Sequence, residues 1–107
     1  MQNVTQKDTI DTTTMTKTKI NIGLQTKNGL PIHPDEVIET ISEYVEAGTF
    51  NMQKGLWKGE LEDSMGFECA NINNHMDITL KELQDKLAAE FEQESVMIEQ
   101  EEIEVAF

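Results

Sequence analysis

The chain has 107 residues and a formal net charge of −13, and all eight of its basic residues are lysines. This length suits one domain of ordinary size. Because nucleic acids and anionic membranes are bound largely through Lys and Arg side chains, the charge argues against direct binding to either of them. It is compatible with a protein partner that has a basic surface, and equally with a charge that only keeps the protein soluble.

Cys69 is the single cysteine, which excludes an internal disulfide and a thiolate metal cluster. The first residues carry lysines but no apolar run, so the pattern predicts neither a signal peptide nor a membrane helix. We therefore expect a cytoplasmic protein.

The first 17 residues are rich in Thr, Gln and Asp and have no periodic apolar face. Such a composition cannot bury enough apolar surface to offset the entropy of ordering, so residues 1–17 are predicted to form a disordered tail. From residue 18 the pattern changes. Ile20, Ile22 and Leu24 alternate with polar residues, which predicts a strand with one buried face and a folded domain over 18–107.

An amphipathic helix is predicted over residues 34–47. Its apolar residues have the three- and four-residue spacing of one helix face: Val37, Ile38, Ile41, Tyr44 and Val45. Pro34 suits the first helical turn, and Gly48 suits a position just past the last one.

Two strands follow, and the short link between them predicts a hairpin. Phe50 and Met52 alternate in the first strand, while Met65, Phe67 and Cys69 alternate in the second. The polar connection is predicted at residues 59–63.

A second helix and a last strand complete the domain. Thr79 and Glu82 have the spacing of a capping box, which predicts a helix from there to about residue 93. In the last strand Val96 and Ile98 share one phase, whereas Ile103, Val105 and Phe107 share the other. A regular strand keeps one phase, so we expect a bulge that kinks the strand near Gln100.

The element order is β-α-β-β-α-β. Right-handed crossovers close this order into an α+β fold of ferredoxin-like type, with a four-stranded antiparallel sheet and two helices on one face. The helices leave the other sheet face bare, which predicts a homodimer or a protein partner on that face.

The sequence carries no motif that predicts catalytic, cofactor-binding or metal-binding residues. Cys69 could pair with His33 or His75 for nucleophilic chemistry, but its phase assigns it to the buried face, where a thiol is inert. Metal binding at the acidic hairpin is disfavoured too, because its carboxylates lack the calcium-loop pattern. We therefore expect no cofactor.

Acidic residues and one tryptophan form the predicted partner-binding surface. Trp57 is predicted on the bare sheet face as an interface anchor, because Leu56 next to it belongs to the other phase. Closely spaced carboxylates can imitate a phosphate backbone, or they can protect an edge strand from aggregation. The predicted residues are Trp57, Glu60, Glu62, Asp63, Glu92, Glu94, Glu99, Glu101 and Glu102.

Three segments, INIGLQTKNGLPI, GLWKGE and FEQESVMIEQEEIEVAF, resemble a domain-of-unknown-function family of small proteins from bacteria, phages and prophages. The most specific part of the resemblance consists of Phe91, Gln93, Glu94, Ser95 and Val96, together with the terminal Phe107. The resemblance implies the same ferredoxin-like element order and a broken last strand, but it brings no known activity.

These observations favour a non-enzymatic acidic interaction module, such as a phage-encoded accessory protein that modulates a protein in the host cytoplasm. One alternative is a small ferredoxin-like dimeric enzyme or ligand-binding domain, in which Trp57, Tyr44 and His33 are the residues of interest. Another alternative is a minor structural protein of the virion.

Overall fold

The fold is a four-stranded antiparallel sheet with two helices, described from a computed structural model. The structure describes residues 11–107, except for the side chain of Trp57. The sheet order β2-β3-β1-β4 confirms the predicted ferredoxin-like fold class. The elements are β1 (Thr13–Gly23), α1 (Pro34–Tyr44), β2 (Thr49–Trp57), β3 (Glu60–Ala70), a 3₁₀ turn (Ile72–His75), α2 (Leu80–Glu90) and β4 (Met97–Val105).

The first strand begins earlier than the sequence indicated. β1 starts at Thr13, and its residues from Thr13 to Asn21 pair with β4. The predicted tail over 1–17 therefore overlaps the sheet by five residues, since backbone pairing with β4 orders a segment whose composition alone favours disorder. Residues 1–10 of that tail lie outside the described residues.

Each helix starts with a side-chain cap. The predicted capping box is confirmed: Thr79 Oγ1 accepts from the Glu82 amide at 3.1 Å, and Glu82 Oε1 accepts from the Thr79 amide at 3.3 Å. At α1 the cap is His33, whose Nδ1 accepts from the Asp35 amide at 3.1 Å. Both helices end within three residues of the predicted bounds. Within residues 11–107, no helix is long and apolar enough to cross a membrane.

The core lies between both helices and one sheet face. In β1 and β3 every second side chain faces the core. This alternation continues to Leu24 just after β1 and to Cys69 near the end of β3. The most deeply buried side chains are Ile20, Ile22, Ile41, Ile72, Leu83, Leu87, Val37 and Thr18. Gly48 lies so close to the Phe67 ring that a Cβ atom there would lie 2.2 Å from Phe67 Cζ, which explains why glycine occupies this position.

The last strand contains no bulge between Met97 and Val105, because each of these residues pairs with one residue of β1 in unbroken register. The predicted bulge near Gln100 is therefore wrong. Gln100 keeps the phase of the helix-covered face, and its Nε2 donates to the hydroxyl of buried Thr18 at 3.0 Å. Ile103 is opposite Met15 in the register and is half-buried on the other sheet face.

The hairpin between β2 and β3 is tighter than predicted. Lys58 and Gly59 form a two-residue turn with φ angles of 49° and 80°, the left-handed pair that suits a type I′ hairpin. Glu60, Glu62 and Asp63 therefore lie in β3 and not in the connection. Regular alternation then directs Asp63 to the opposite face from Glu60 and Glu62.

Candidate functional site

The end of β1 with the loop after it, the start of β3 and the loop before β4 line an open cavity of about 480 Å³, which we call the loop cavity. This volume lies within the range of small-molecule sites. Three chain segments form its walls. The lining residues are Gly23, Leu24, Gln25, Thr26, Lys27, Gly29, Glu62, Asp63, Gln93, Glu94 and Ser95.

Hydrogen bonds join the three walls of the loop cavity. The Leu24 amide donates to the Asp63 carbonyl at 3.0 Å, which joins the β1–α1 loop to β3. The Lys27 amide donates to the Glu92 carbonyl at 2.8 Å, which joins the same loop to the segment after α2. These bonds fix the positions of the three walls relative to one another.

The loop cavity combines both signs of charge. Its lining residues include the acidic residues Glu62, Asp63 and Glu94 and the basic residue Lys27. The Asp63 carboxylate is bonded to Lys54 Nζ at 2.7 Å, so part of its charge is balanced inside the hairpin. The arrangement suits a polar ligand that is largely cationic and also has an anionic group.

A second cavity, which we call the acidic groove, lies between α1 and the end of α2 and has a volume of about 500 Å³. Five glutamates line it without a lysine among the lining residues: Glu36, Glu39, Glu43, Glu90 and Glu92. Lacking a cation, this groove is less suited than the loop cavity to a ligand that carries a carboxylate.

The predicted acidic surface is divided between separate parts of the fold. Glu62, Asp63 and Glu94 lie together at the loop cavity, whereas Glu99 and Glu101 lie in the edge strand β4 on the bare sheet face. There Glu101 Oε1 lies 3.3 Å from Lys17 Nζ, and Glu99 is opposite Lys19 in the register. These two carboxylates face lysines of the same molecule, which weakens the predicted resemblance to a phosphate backbone.

The remaining predicted residues also lie apart. Glu92 lines the acidic groove and has a left-handed φ of 47° after the end of α2. Glu102 pairs with Thr16 in the phase opposite to Glu101. The backbone of Trp57 pairs with that of Glu60 next to the hairpin turn, and the predicted position of its side chain lies outside the described part of the chain.

The cysteine and the two histidines have separate partners. Cys69 is 5% exposed, its Sγ contacts the Ala70 carbonyl oxygen at 3.6 Å, and burial raises the pKa of its thiol. His33 caps α1, and His75 Nδ1 lies 3.4 Å from Glu46 Oε1. A buried thiol with a raised pKa is a poor nucleophile.

Two residues that line the loop cavity, Lys27 and Gln93, were not predicted from the sequence as functional candidates. Neither belongs to a motif, and they come together because the turn after α2 packs against the β1–α1 loop. One signal was present: Gln93 and Glu94 belong to the most specific part of the family resemblance.

No protein-family model matches this chain, and no curated protein matches it. The family resemblance therefore stays a prediction. Among solved structures, the chain is similar to a phage SAM lyase in complex with S-methyl-5′-thioadenosine, with a TM-score of 0.59 and 16% identity over 87% of this chain and 90% of that chain. It is also similar to a phage SAM lyase in the apo state, with a TM-score of 0.54 and 18% identity over 88% and 90%.

At these identities the likeness establishes the fold. The matched proteins are nevertheless enzymes, and the match extends over nearly the whole of each chain. This finding overturns the prediction of a non-enzymatic interaction module. It favours the alternative, a small ferredoxin-like enzyme or ligand-binding domain.

Proposed function

We propose that this protein is an enzyme that binds S-adenosylmethionine (SAM) in the loop cavity and cleaves it to release S-methyl-5′-thioadenosine. The observation that carries the proposal is the backbone likeness to a phage SAM lyase holding that nucleoside, at a TM-score of 0.59 over 87% of this chain. The mixed charge and the size of the loop cavity support the same substrate.

The charges of SAM match those of the loop cavity. The substrate has a sulfonium cation and an ammonium group at one end of the nucleoside, together with one carboxylate. Glu62 and Glu94 suit the two cationic groups, and Lys27 suits the carboxylate. Because opposite charges steer a ligand towards its site, the excess of carboxylates also favours capture of a cationic substrate.

The proposed reaction removes the charge that the cavity attracts. An oxygen of the substrate's own carboxylate bonds to the aminocarboxypropyl carbon next to the sulfur and closes a lactone. The bond between that carbon and the sulfonium sulfur breaks at the same time, and its electron pair stays on the sulfur. The sulfur thereby becomes the neutral thioether of the product. Carboxylates that contact the sulfonium therefore bind substrate more strongly than product, which favours product release. They raise substrate affinity but do not by themselves speed the chemical step, because the positive charge that they bind declines as the bond breaks.

The direct test is to incubate the purified protein with SAM and to measure S-methyl-5′-thioadenosine by liquid chromatography and mass spectrometry. A sample without protein corrects for the slow decomposition of SAM in buffer. We expect product to form in proportion to protein concentration. A rate equal to that of the protein-free sample at every protein concentration would contradict the proposal.

A further inference from the structure

We propose that Gln93 is a positioning residue that holds the wall of the loop cavity in its substrate-binding arrangement. The inference rests on the proposed function and adds a residue that does not itself have to touch the reacting atoms. It is based on the hydrogen bonds of one side-chain amide.

Gln93 lies where two walls of the loop cavity meet. Its Nε2 donates to the Gln25 carbonyl at 2.8 Å and to the Phe91 carbonyl at 3.0 Å. One amide thus ties the β1–α1 loop to the end of α2. Its own backbone amide donates to the Ala88 carbonyl at 2.9 Å, so the residue is anchored to the helix from which it reaches across.

The neighbouring backbone leaves room for this side chain. A Cβ atom on Gly23 would lie 3.3 Å from Gln93 Oε1, closer than most carbon contacts of that kind. Gly23 therefore permits the close approach of Gln93 to the end of β1. The Lys27 amide bonds to Glu92 directly beside it, so the backbone link and the side-chain link act on the same loop.

The segment held in this way carries Lys27, the cation of the loop cavity. If the hydrogen bonds of the Gln93 side chain are lost, the β1–α1 loop samples positions in which Lys27 no longer lines the loop cavity. The apparent affinity for substrate then falls in proportion to the fraction of molecules that keep the binding arrangement. A loss of this kind raises KM, whereas the chemical step in a correctly arranged molecule is unchanged.

The test compares Gln93→Met with Gln84→Met. The first change keeps the length of the side chain and removes the amide donor without adding a charge to the loop cavity. Gln84 is a matched control, because its Nε2 also donates to a backbone carbonyl, that of Val96 at 2.9 Å, and it does not line the loop cavity. Both changes are neutral.

We measure KM and kcat for formation of S-methyl-5′-thioadenosine from SAM, and hydrogen–deuterium exchange over residues 24–29. Loss of a hydrogen bond of ordinary strength predicts that Gln93→Met raises KM about five- to tenfold and speeds exchange in this segment to a similar extent. Gln84→Met should leave both quantities near those of the unchanged protein.

Equal changes of KM and exchange in the two variants would overturn the role of Gln93, because they would reflect general loss of stability. Absence of product with the unchanged protein would overturn the proposed function instead. In that case exchange over residues 24–29 still decides whether Gln93 holds the loop.

Discussion

Glu94 contributes a carboxylate to the loop cavity, so its charge should affect binding of SAM more than binding of its neutral product. We expect Glu94→Gln to weaken SAM binding about fivefold, as the loss of one exposed ion pair implies, and to leave S-methyl-5′-thioadenosine binding unchanged. Isothermal titration calorimetry with both ligands measures the difference. Glu99→Gln removes the same charge from the bare sheet face and is the control. Equal weakening by both variants would mean that net charge, and not the loop cavity, attracts SAM.

The buried thiol of Cys69 should make stability depend on pH in the alkaline range. Burial raises its pKa above the ordinary value of 9.0, so the folded protein keeps the proton to higher pH than the unfolded chain does. This contribution to stability is fully present below the unfolded pKa and is lost as the pH rises through the folded pKa. Urea unfolding at a series of pH values should show a fall in the free energy of unfolding, and Cys69→Ala should reduce its slope. An identical slope in the variant would contradict the assignment to this thiol.

Part of the candidate site could be predicted at the level of single residues. Glu62, Asp63 and Glu94 were predicted as binding residues from their charge, although for a protein partner. Lys27 and Gln93 could not be predicted, because their role depends on a contact between two loops. The two residues are 66 positions apart in the sequence. Hydrophobic periodicity locates strands and helices, but it does not show which loops meet.

Within the sheet, Thr18 and Gln100 join β1 to β4 by a polar contact at the margin of the core. Thr18 is 1% exposed and accepts from Gln100 Nε2 at 3.0 Å. Gln100→Ala leaves the buried hydroxyl without this partner and should cost about 1–2 kcal/mol of unfolding free energy. The double variant with Thr18→Val removes both polar groups and should regain most of that loss. Urea denaturation of both single variants and the double variant measures the coupling, and strictly additive changes would contradict it.

This contact also explains why the last strand was predicted with a bulge. The alternation of Val96 and Ile98 stops at Gln100, and Ile103 resumes in the other phase. The sequence pattern therefore resembles a slipped register. In the structure the register is continuous. Gln100 is polar at an otherwise apolar position because it donates to the buried hydroxyl of Thr18. The remaining strands and both helices were predictable, because each of them packs one regular apolar face against a single core.

For the molecule as a whole, the bare sheet face differs from the surface that the sequence suggested. Charged side chains line a depression on it, with Lys17 and Lys19 among Glu68, Glu99 and Glu101. A second copy bound there would have to bury these groups, which is costly unless each charge stays paired. The homodimer stays a prediction. The fold itself followed from element order, since right-handed crossovers leave few ways to close β-α-β-β-α-β.

The net charge of −13 gives the last prediction, which concerns stability and salt. Like charges crowd together when the chain folds, and the ion pairs between described residues, such as Lys81 with Asp85 at 2.9 Å, are exposed and weakly stabilising. Screening by salt should therefore weaken the repulsion between like charges more than it weakens the attraction within these ion pairs. Raising salt from about 0.01 M to about 0.1 M shortens the screening length from about 30 Å to about 10 Å.

We expect the melting temperature to rise by about 4–8 °C over this range, which corresponds to ~1 kcal/mol for a domain of this size. Calorimetry or circular dichroism measures the shift. Sodium and potassium chloride should act equally, because screening depends on ionic strength and not on the identity of the cation. A melting temperature that falls with salt would mean that paired charges, and not the excess of carboxylates, dominate the electrostatic free energy of folding.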